Sequence, residues 1–291
     1  MRKIFLSIVI LFFIFFAFLI GLGIGVFSRG EDGFSGKDKV AVLNIEDVIL
    51  DSREYLDSIN AIKKDSNIKA IVLRINSPGG AVGPAQEIYS EIQALKKEKP
   101  VVASLGTVAA SGGYYVACAA DKILTNPGTI TGSIGVIAQF VNYKELMNWA
   151  KLNVEVLKSG AFKDTGSPIR DMKPEERKYM QSVIDNVFAQ FKKAVSEGRN
   201  IPPDKVDVIA DGRIYTGEQA KDLNLVDDMG TLNDAISLAA RMGGIKGEPG
   251  VSNYPKKKTS IMELISNLDT SLISNIPMTS HFGLFYMVNT Y

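Results

Sequence analysis

The run GTVAASGGYYVACAADK, residues 106–122, sets Ser111 between small residues and two glycines. A serine hydroxyl becomes a nucleophile when a neighbouring group takes its proton, and histidine is the usual acceptor. The 291-residue chain holds one histidine, His281, in a C-terminal segment with few signs of a packed core. Lysine can serve instead, provided its amine is neutral at working pH. A free lysine titrates near ~10.4, and burial lowers that value. Most lysines here lie in charge-rich helical patterns and read as solvated. Lys163 differs, because in VEVLKSGAFKDTGSPIR (154–170) it follows an expected strand and lies in a loop with Gly160, Gly166, Ser167 and Pro168. Such a loop can aim an amine into a cleft. Lys158, expected to end that strand, and Lys122 are competitors, and spacing does not choose among the three.

Acyl transfer also needs donors for the oxyanion. Gly112 opens an expected helix directly after Ser111, where unpaired N–H groups and the positive end of the helix dipole are available. RINSPGG (74–80) follows one expected strand and precedes a helix, so it ends at the same sheet edge as Ser111. Open α/β sheets place ligands at that edge. The N–H groups of Gly80 and Gly112 are therefore candidate donors, the alternative being a plain turn built on Pro78 and Gly79. Cys118, the one cysteine, lies in an apolar helical run and reads as a buried thiol rather than a nucleophile. No intrachain disulfide can form.

The elements that would position these residues alternate. Strands are expected at 40–45, 68–76, 100–105 and 122–126, and helices at 53–64, 84–97 and 111–120. A long helix follows at 173–198, opened by Pro174 and closed by Gly198, with shorter ones near 203–210, 217–223 and 231–242. Strands alternating with helices imply right-handed crossovers and an α/β fold with a mostly parallel sheet.

Residues 4–27 carry no charge and are long enough to span a ~30 Å hydrocarbon layer, with Arg2 and Lys3 before them. This predicts a retained transmembrane anchor with a cytoplasmic N-terminus and an extracytoplasmic domain; a cleaved signal peptide is the alternative, against which the run is long and lacks an A-x-A-like site. The expected organisation is an anchor (1–28), a tether (29–39), a catalytic domain (40–245) and an extension (246–291) whose GEPGVSNYPKKK reads as a linker. The net charge of +1 gives no footprint for nucleic acid. No H-E-x-x-H, P-loop or His/Cys cluster is present, so neither metal nor organic cofactor is expected.

These motifs resemble the short, single-domain form of signal peptide peptidase A. The family consists of membrane-anchored bacterial serine peptidases with a Ser-Lys dyad and a fold like that of the caseinolytic protease and crotonase families. The resemblance spans about residues 40–242 and is carried by LRINSPGG (73–80), ASGGYYVACAADKI (110–123), TGSIGVI (131–137), KSGAFKDTGSPIRDMKPEER (158–177) and ADGRIYTGEQAKDLNLVDDMG (210–230). It implies Ser111 as nucleophile, Lys163 as general base, Gly80 and Gly112 as oxyanion donors, and Ser133 as the residue that orients the lysine. It further implies remnant signal peptides as substrates and a homo-oligomer whose neighbouring subunits complete the cleft. Val82, Tyr114, Tyr115 and Ile134 are candidates to line an apolar groove, with core positions as the alternative. The C-terminal residues read as a loosely packed extension, the sharper alternative being a peptide that occupies the active-site groove or is trimmed there. An acyl-CoA enzyme of the crotonase type and an inactive membrane scaffold are the competing functions.

Overall fold

The computed structural model describes residues 38–256 and 285–287, together with Phe15. The expected anchor at 4–27 otherwise lies outside the described residues, among which no helix is long and apolar enough to cross a membrane. The chain divides into two units, Met1–Lys37 and Asp38–Tyr291, and the elements that carry the candidate site belong to the second.

In chain order the elements are β1 (Lys39–Glu46), α1 (Arg53–Lys64), β2 (Ile68–Ser77), β3 (Gly79–Ala81), α2 (Val82–Leu95), β4 (Val101–Ala110), α3 (Gly112–Ala117), β5 (Lys122–Thr125) and β6 (Ile130–Gly132). Then come α4 (Lys144–Trp149), α5 (Pro174–Arg199), α6 (Pro203–Ile209), β7 (Ile214–Thr216), α7 (Gly217–Asp222), β8 (Asp228–Met229), α8 (Leu232–Met242), β9 (Gly250–Tyr254) and β10 (Phe285–Met287). The main sheet runs β7-β6-β4-β2-β1-β9, with β5 also beside β4 and β8 beside β5. Its pairs are parallel apart from β6–β7.

Both faces of this sheet are covered. Val40, Val42, Ala70, Val72 and Val102 point to one side, under Ala235, Ala239 and Ala240 of α8. Ala41, Leu43, Ile45, Ile71, Leu73 and Ile75 point to the other, in a core with Ile59, Ile88, Tyr114 and Phe191 from α1, α2, α3 and α5. Burial on both faces is why the middles of these strands, Val40–Leu43 and Ala70–Leu73, read as apolar runs instead of alternating ones.

Several expectations need correction. No strand forms at 154–158: Val154, Val156 and Leu157 are exposed, and with no neighbouring strand to pair with, the apolar alternation there has no ladder to join. The stretch GEPGVSNYPKKK is more than a linker, since Gly250–Tyr254 adds parallel to β1 as an edge strand. Gly198 does not close α5, which runs to Arg199 and ends on Asn200 in the left-handed region at φ 52°. Gly198 instead serves packing, because a Cβ there would stand 2.2 Å from the Cys118 carbonyl oxygen.

Candidate active site

Along the edge of β4 opposite β2 lie two neighbours, with Val102–Ser104 pairing to β5 and Val108–Ala110 to β6. Ser111 follows the last of these residues at φ 52° and ψ −118°. Positive φ on a non-glycine residue costs on the order of 1–3 kcal/mol and persists where the surroundings impose it. Here the Ser111 N–H donates to the Gly132 carbonyl at 2.8 Å, and the Ser111 carbonyl accepts from the Tyr115 N–H at 2.8 Å. The residue is 1% exposed. Its hydroxyl has no hydrogen-bond partner among the described residues. A strained backbone and an unpaired buried hydroxyl thus coincide on one serine.

Because Ala110 pairs with Gly132, the residues that follow, Ser111 and Ser133, leave the sheet side by side. Ser133 is buried, has φ 50°, and is held by its N–H donating to the Arg213 carbonyl at 2.8 Å. Gly112 is the first residue of α3, and its N–H belongs to the first-turn donors that have no acceptor inside a helix. Gly113 has a packing role, since a Cβ there would meet the Ser77 carbonyl oxygen at 2.8 Å.

Gly80 lies in β3, which touches α3. The Ile49 N–H donates to the Gly79 carbonyl at 2.9 Å, and the Ala81 N–H to the Ile49 carbonyl at 2.7 Å. The N–H of Gly80 itself therefore faces the opposite edge of β3. No side chain fits here, because a Cβ on Gly80 would stand 2.0 Å from the Ile49 carbonyl oxygen. Along that opposite edge runs β10, antiparallel, with Tyr286 across from Gly80, and β10 also touches α3. The short C-terminal strand thus lies against the two elements that carry the candidate donors.

Ser111, Gly112, Ser133 and Gly80 are brought to one end of the sheet; Lys163 makes no hydrogen bond to the Ser111 hydroxyl within the chain. It lies in an irregular segment between α4 and α5, exposed, and its amine has no hydrogen bond or ion pair among the described residues. This segment exposes Leu157 at 90%, with Leu152 and Phe162, and α4 before it exposes Trp149 at 82%, with Leu146. The competing lysines are engaged elsewhere. Lys158 pairs with Asp164. Lys122 pairs with Asp227 at 3.0 Å and lies across from Val102. Nine residues of β4, at ~3.3 Å each, put it about 30 Å from Ser111.

The apolar lining expected from Tyr114, Tyr115 and Ile134 is absent, as all three are buried in the core. The Tyr114 hydroxyl donates to the Leu225 carbonyl at 2.7 Å, and Tyr115 stacks on Tyr89 and Phe191. Val82 is half-buried against the same core. Cys118 is buried, and that burial pushes its thiol up to about 12, which removes it as a nucleophile at neutral pH. Among the described residues no group of His, Cys, Asp or Glu could hold a metal ion. One feature escaped the sequence reading, a charged knot of Lys158, Asp164, Arg170 and Glu176 around the Lys163 loop. Its only signal was the even spacing of Asp164, Arg170 and Glu176, six residues apart each time.

Residues 93–246 match peptidase family S49, and residues 45–127 match the Clp protease family. The chain belongs to peptidase family S49. It is accordingly a serine peptidase. Among its S49 relatives, a putative protease of Synechocystis is 40% identical over 72% of this chain and 76% of its own length. A putative protease of Methanocaldococcus jannaschii is 34% identical over 87% of each chain. A putative signal peptide peptidase SppA of Enterococcus faecium is 36% identical over 71% of this chain and 64% of its own. The S49 match covers Ser111, Ser133 and Lys163, and the Clp match covers Gly80, Ser111 and Gly112.

Proposed function

We propose that this S49 peptidase cleaves apolar peptide segments, such as signal peptides left in the membrane, with Ser111 as nucleophile and Lys163 as general base. The observation that carries the reading is the strained, buried and unpartnered Ser111 hydroxyl, held where Ser133 and the edges of β3 and α3 converge. The neutral amine of Lys163 takes the Ser111 proton as the oxygen adds to a peptide carbonyl carbon. The N–H groups of Gly80 and Gly112 then hold the oxyanion. Lysine returns the proton to the leaving nitrogen as the C–N bond breaks, and water, deprotonated by the same amine, releases the acyl group and restores the serine. Ser133 orients the amine.

Substrate enters as an extended strand along the edge of β3 that β10 takes in this structure, displacing β10. Residues 4–27 anchor the enzyme beside its substrate. Assembly with further copies covers the exposed apolar arm around Trp149 and Leu157 and brings Lys163 to Ser111. The test is labelling of detergent-solubilised protein by a serine-directed fluorophosphonate. Wild type is expected to label and Ser111→Ala and Lys163→Ala are not; labelling retained by Lys163→Ala would refute the assigned base, and no labelling of any form would favour a scaffold.

A further inference from the structure

The segment that carries Lys163 has neither helix nor strand between α4 and α5. Its own turns are closed by single hydrogen bonds, Lys163 N–H to Gly160 O at 3.1 Å, Thr165 N–H to Phe162 O at 3.1 Å and Ser167 N–H to Asp164 O at 3.0 Å. Bonds of this kind contribute about 1 kcal/mol each and do not fix the direction of a neighbouring side chain. Beyond the loop, Tyr143 N–H donates to the Pro168 carbonyl at 2.5 Å and Asn142 and Lys144 hold Asp171, while the tie from the residue beside Lys163 to α5 is Arg170. Its Nε donates to Asp164 Oδ2 at 2.8 Å and its Nη2 to the Asp164 carbonyl at 3.0 Å. On the other side Nη1 and Nη2 grip the two oxygens of Glu176 at 2.8 and 2.6 Å, and Nη1 also reaches the Asp171 carbonyl at 2.9 Å.

Glu176 is the fixed point of this cluster. It is 2% exposed, lies in the first turn of α5, and accepts the Lys173 N–H at 2.9 Å. Arg170 therefore fastens the residue next to Lys163 to the foot of a 26-residue helix. Phe162, on the other side of Lys163, adds a ring contact with Tyr179 of α5 at 5.4 Å. Asp164 also holds the Lys158 ammonium, which reaches the Ala161 carbonyl at 3.2 Å as well.

From this geometry we infer that Arg170 is a positioning residue for catalysis: by bridging Asp164 to Glu176 it fixes the loop so that Lys163 offers its amine while Lys158 is held in an ion pair. The inference rests on the Ser-Lys reading. It accounts for the choice between two lysines five positions apart, since one is bound within the knot and the other is left outside it.

The electrostatics support the same conclusion. Lys158 and Arg170 balance Asp164 and Glu176, so Lys163 stands beside a cluster with no net charge. The other charged groups on the segment and the adjoining elements are Lys144, paired with Asp171 at 2.6 Å, Glu145 of α4, Lys151 and Glu155 of the segment, and Lys173, Glu175, Arg177 and Lys178 at the start of α5. Arg170 and then Lys158 hold Asp164 well below the usual carboxylate range. Glu176 is brought down to about 2 by Arg170 and the Lys173 N–H. Both folded values are depressed, so the knot is complete above the ordinary carboxylate range and opens only as pH falls toward about 2. It stays closed wherever a lysine base can work. Loss of Arg170 would leave a net negative charge beside Lys163, which favours its ammonium form.

The test compares Arg170→Gln, Arg170→Lys and Lys163→Ala in the full-length, detergent-solubilised protein, with sites counted by exhaustive fluorophosphonate labelling of each variant that labels. Turnover is read on a fluorogenic apolar peptide across pH. A misplacement of the base by ~1 Å costs ~10²-fold in rate, so Arg170→Gln is expected to lose about that much kcat per labelled site with KM within about threefold. The acid limb of its kcat/KM profile is expected to move to higher pH. Arg170→Lys keeps the charge and loses the fork, so it should lose kcat while its acid limb stays in place. A kcat per labelled site for Arg170→Gln within threefold of wild type, or an acid limb that does not move, overturns the inference. Activity surviving in Lys163→Ala would instead bring down the Ser-Lys reading on which it rests.

Discussion

Replacing Ser111 by glycine and by alanine separates backbone strain from chemistry. Both variants lose the nucleophile and the unpartnered hydroxyl, and they differ only in whether a Cβ remains at φ 52°, ψ −118°. Relief of that conformation is worth about 1–3 kcal/mol. Glycine gives back about 0.5–1 kcal/mol through the extra freedom of the unfolded chain. The difference leaves Ser111→Gly more stable than Ser111→Ala by up to about 2.5 kcal/mol, or up to roughly 10 °C in Tm for a domain near 200 residues. Calorimetry of the two variants in the same detergent and at the same protein concentration keeps any assembly contribution equal. An alanine variant that unfolds at or above the glycine variant would refute the argument that the fold holds this serine under strain.

Three further outcomes follow from the same geometry. Gly80→Ala sets a methyl against the Ile49 carbonyl and displaces a candidate oxyanion donor, so kcat should fall by about 10²–10³ and stability by a few kcal/mol; wild-type turnover would remove Gly80 from the site. Mixing Ser111→Ala with Lys163→Ala during refolding should restore roughly a quarter of wild-type activity, because random assembly of symmetric subunits pairs one chain's serine with another's lysine; no recovery would mean that each dyad forms within one chain. Removal of residues 257–291 leaves β9 in place and opens the edge of β3, so KM for an added peptide should fall; an unchanged KM, with an intact C-terminus by mass spectrometry, would show that β10 does not compete with substrate.

The sheet was legible because its strands are buried on both sides. Runs such as Val40–Leu43 and Ala70–Leu73 are apolar without interruption, as strands covered on both faces of a parallel sheet are. Ser111, Gly80 and Gly112 were legible from strand-to-turn spacing, since each follows a strand that ends at the same edge. The stretch 154–158 misled for a physical reason: the apolar residues Val154, Val156 and Leu157 do not say what covers them, and among the described residues they stay exposed. For Tyr114 and Tyr115 the sequence left groove and core open, and their rings fill the core between α2, α3 and α5. The three-residue strands β3, β6 and β7 were too short to leave a periodic signal.

The pairing of β10 with β3 has a kinetic side. A strand that belongs to the chain it occupies competes at an effective concentration, on the order of millimolar for short tethers, and dilution does not weaken it. A peptide dissolved at micromolar levels meets a site that is already filled. With the anchor proposed at residues 4–27, a peptide confined to the same membrane surface would be enriched by that confinement and could displace the strand. The tail would then act as a threshold on local substrate density, sparing stray soluble chains and yielding to peptides that accumulate beside the enzyme.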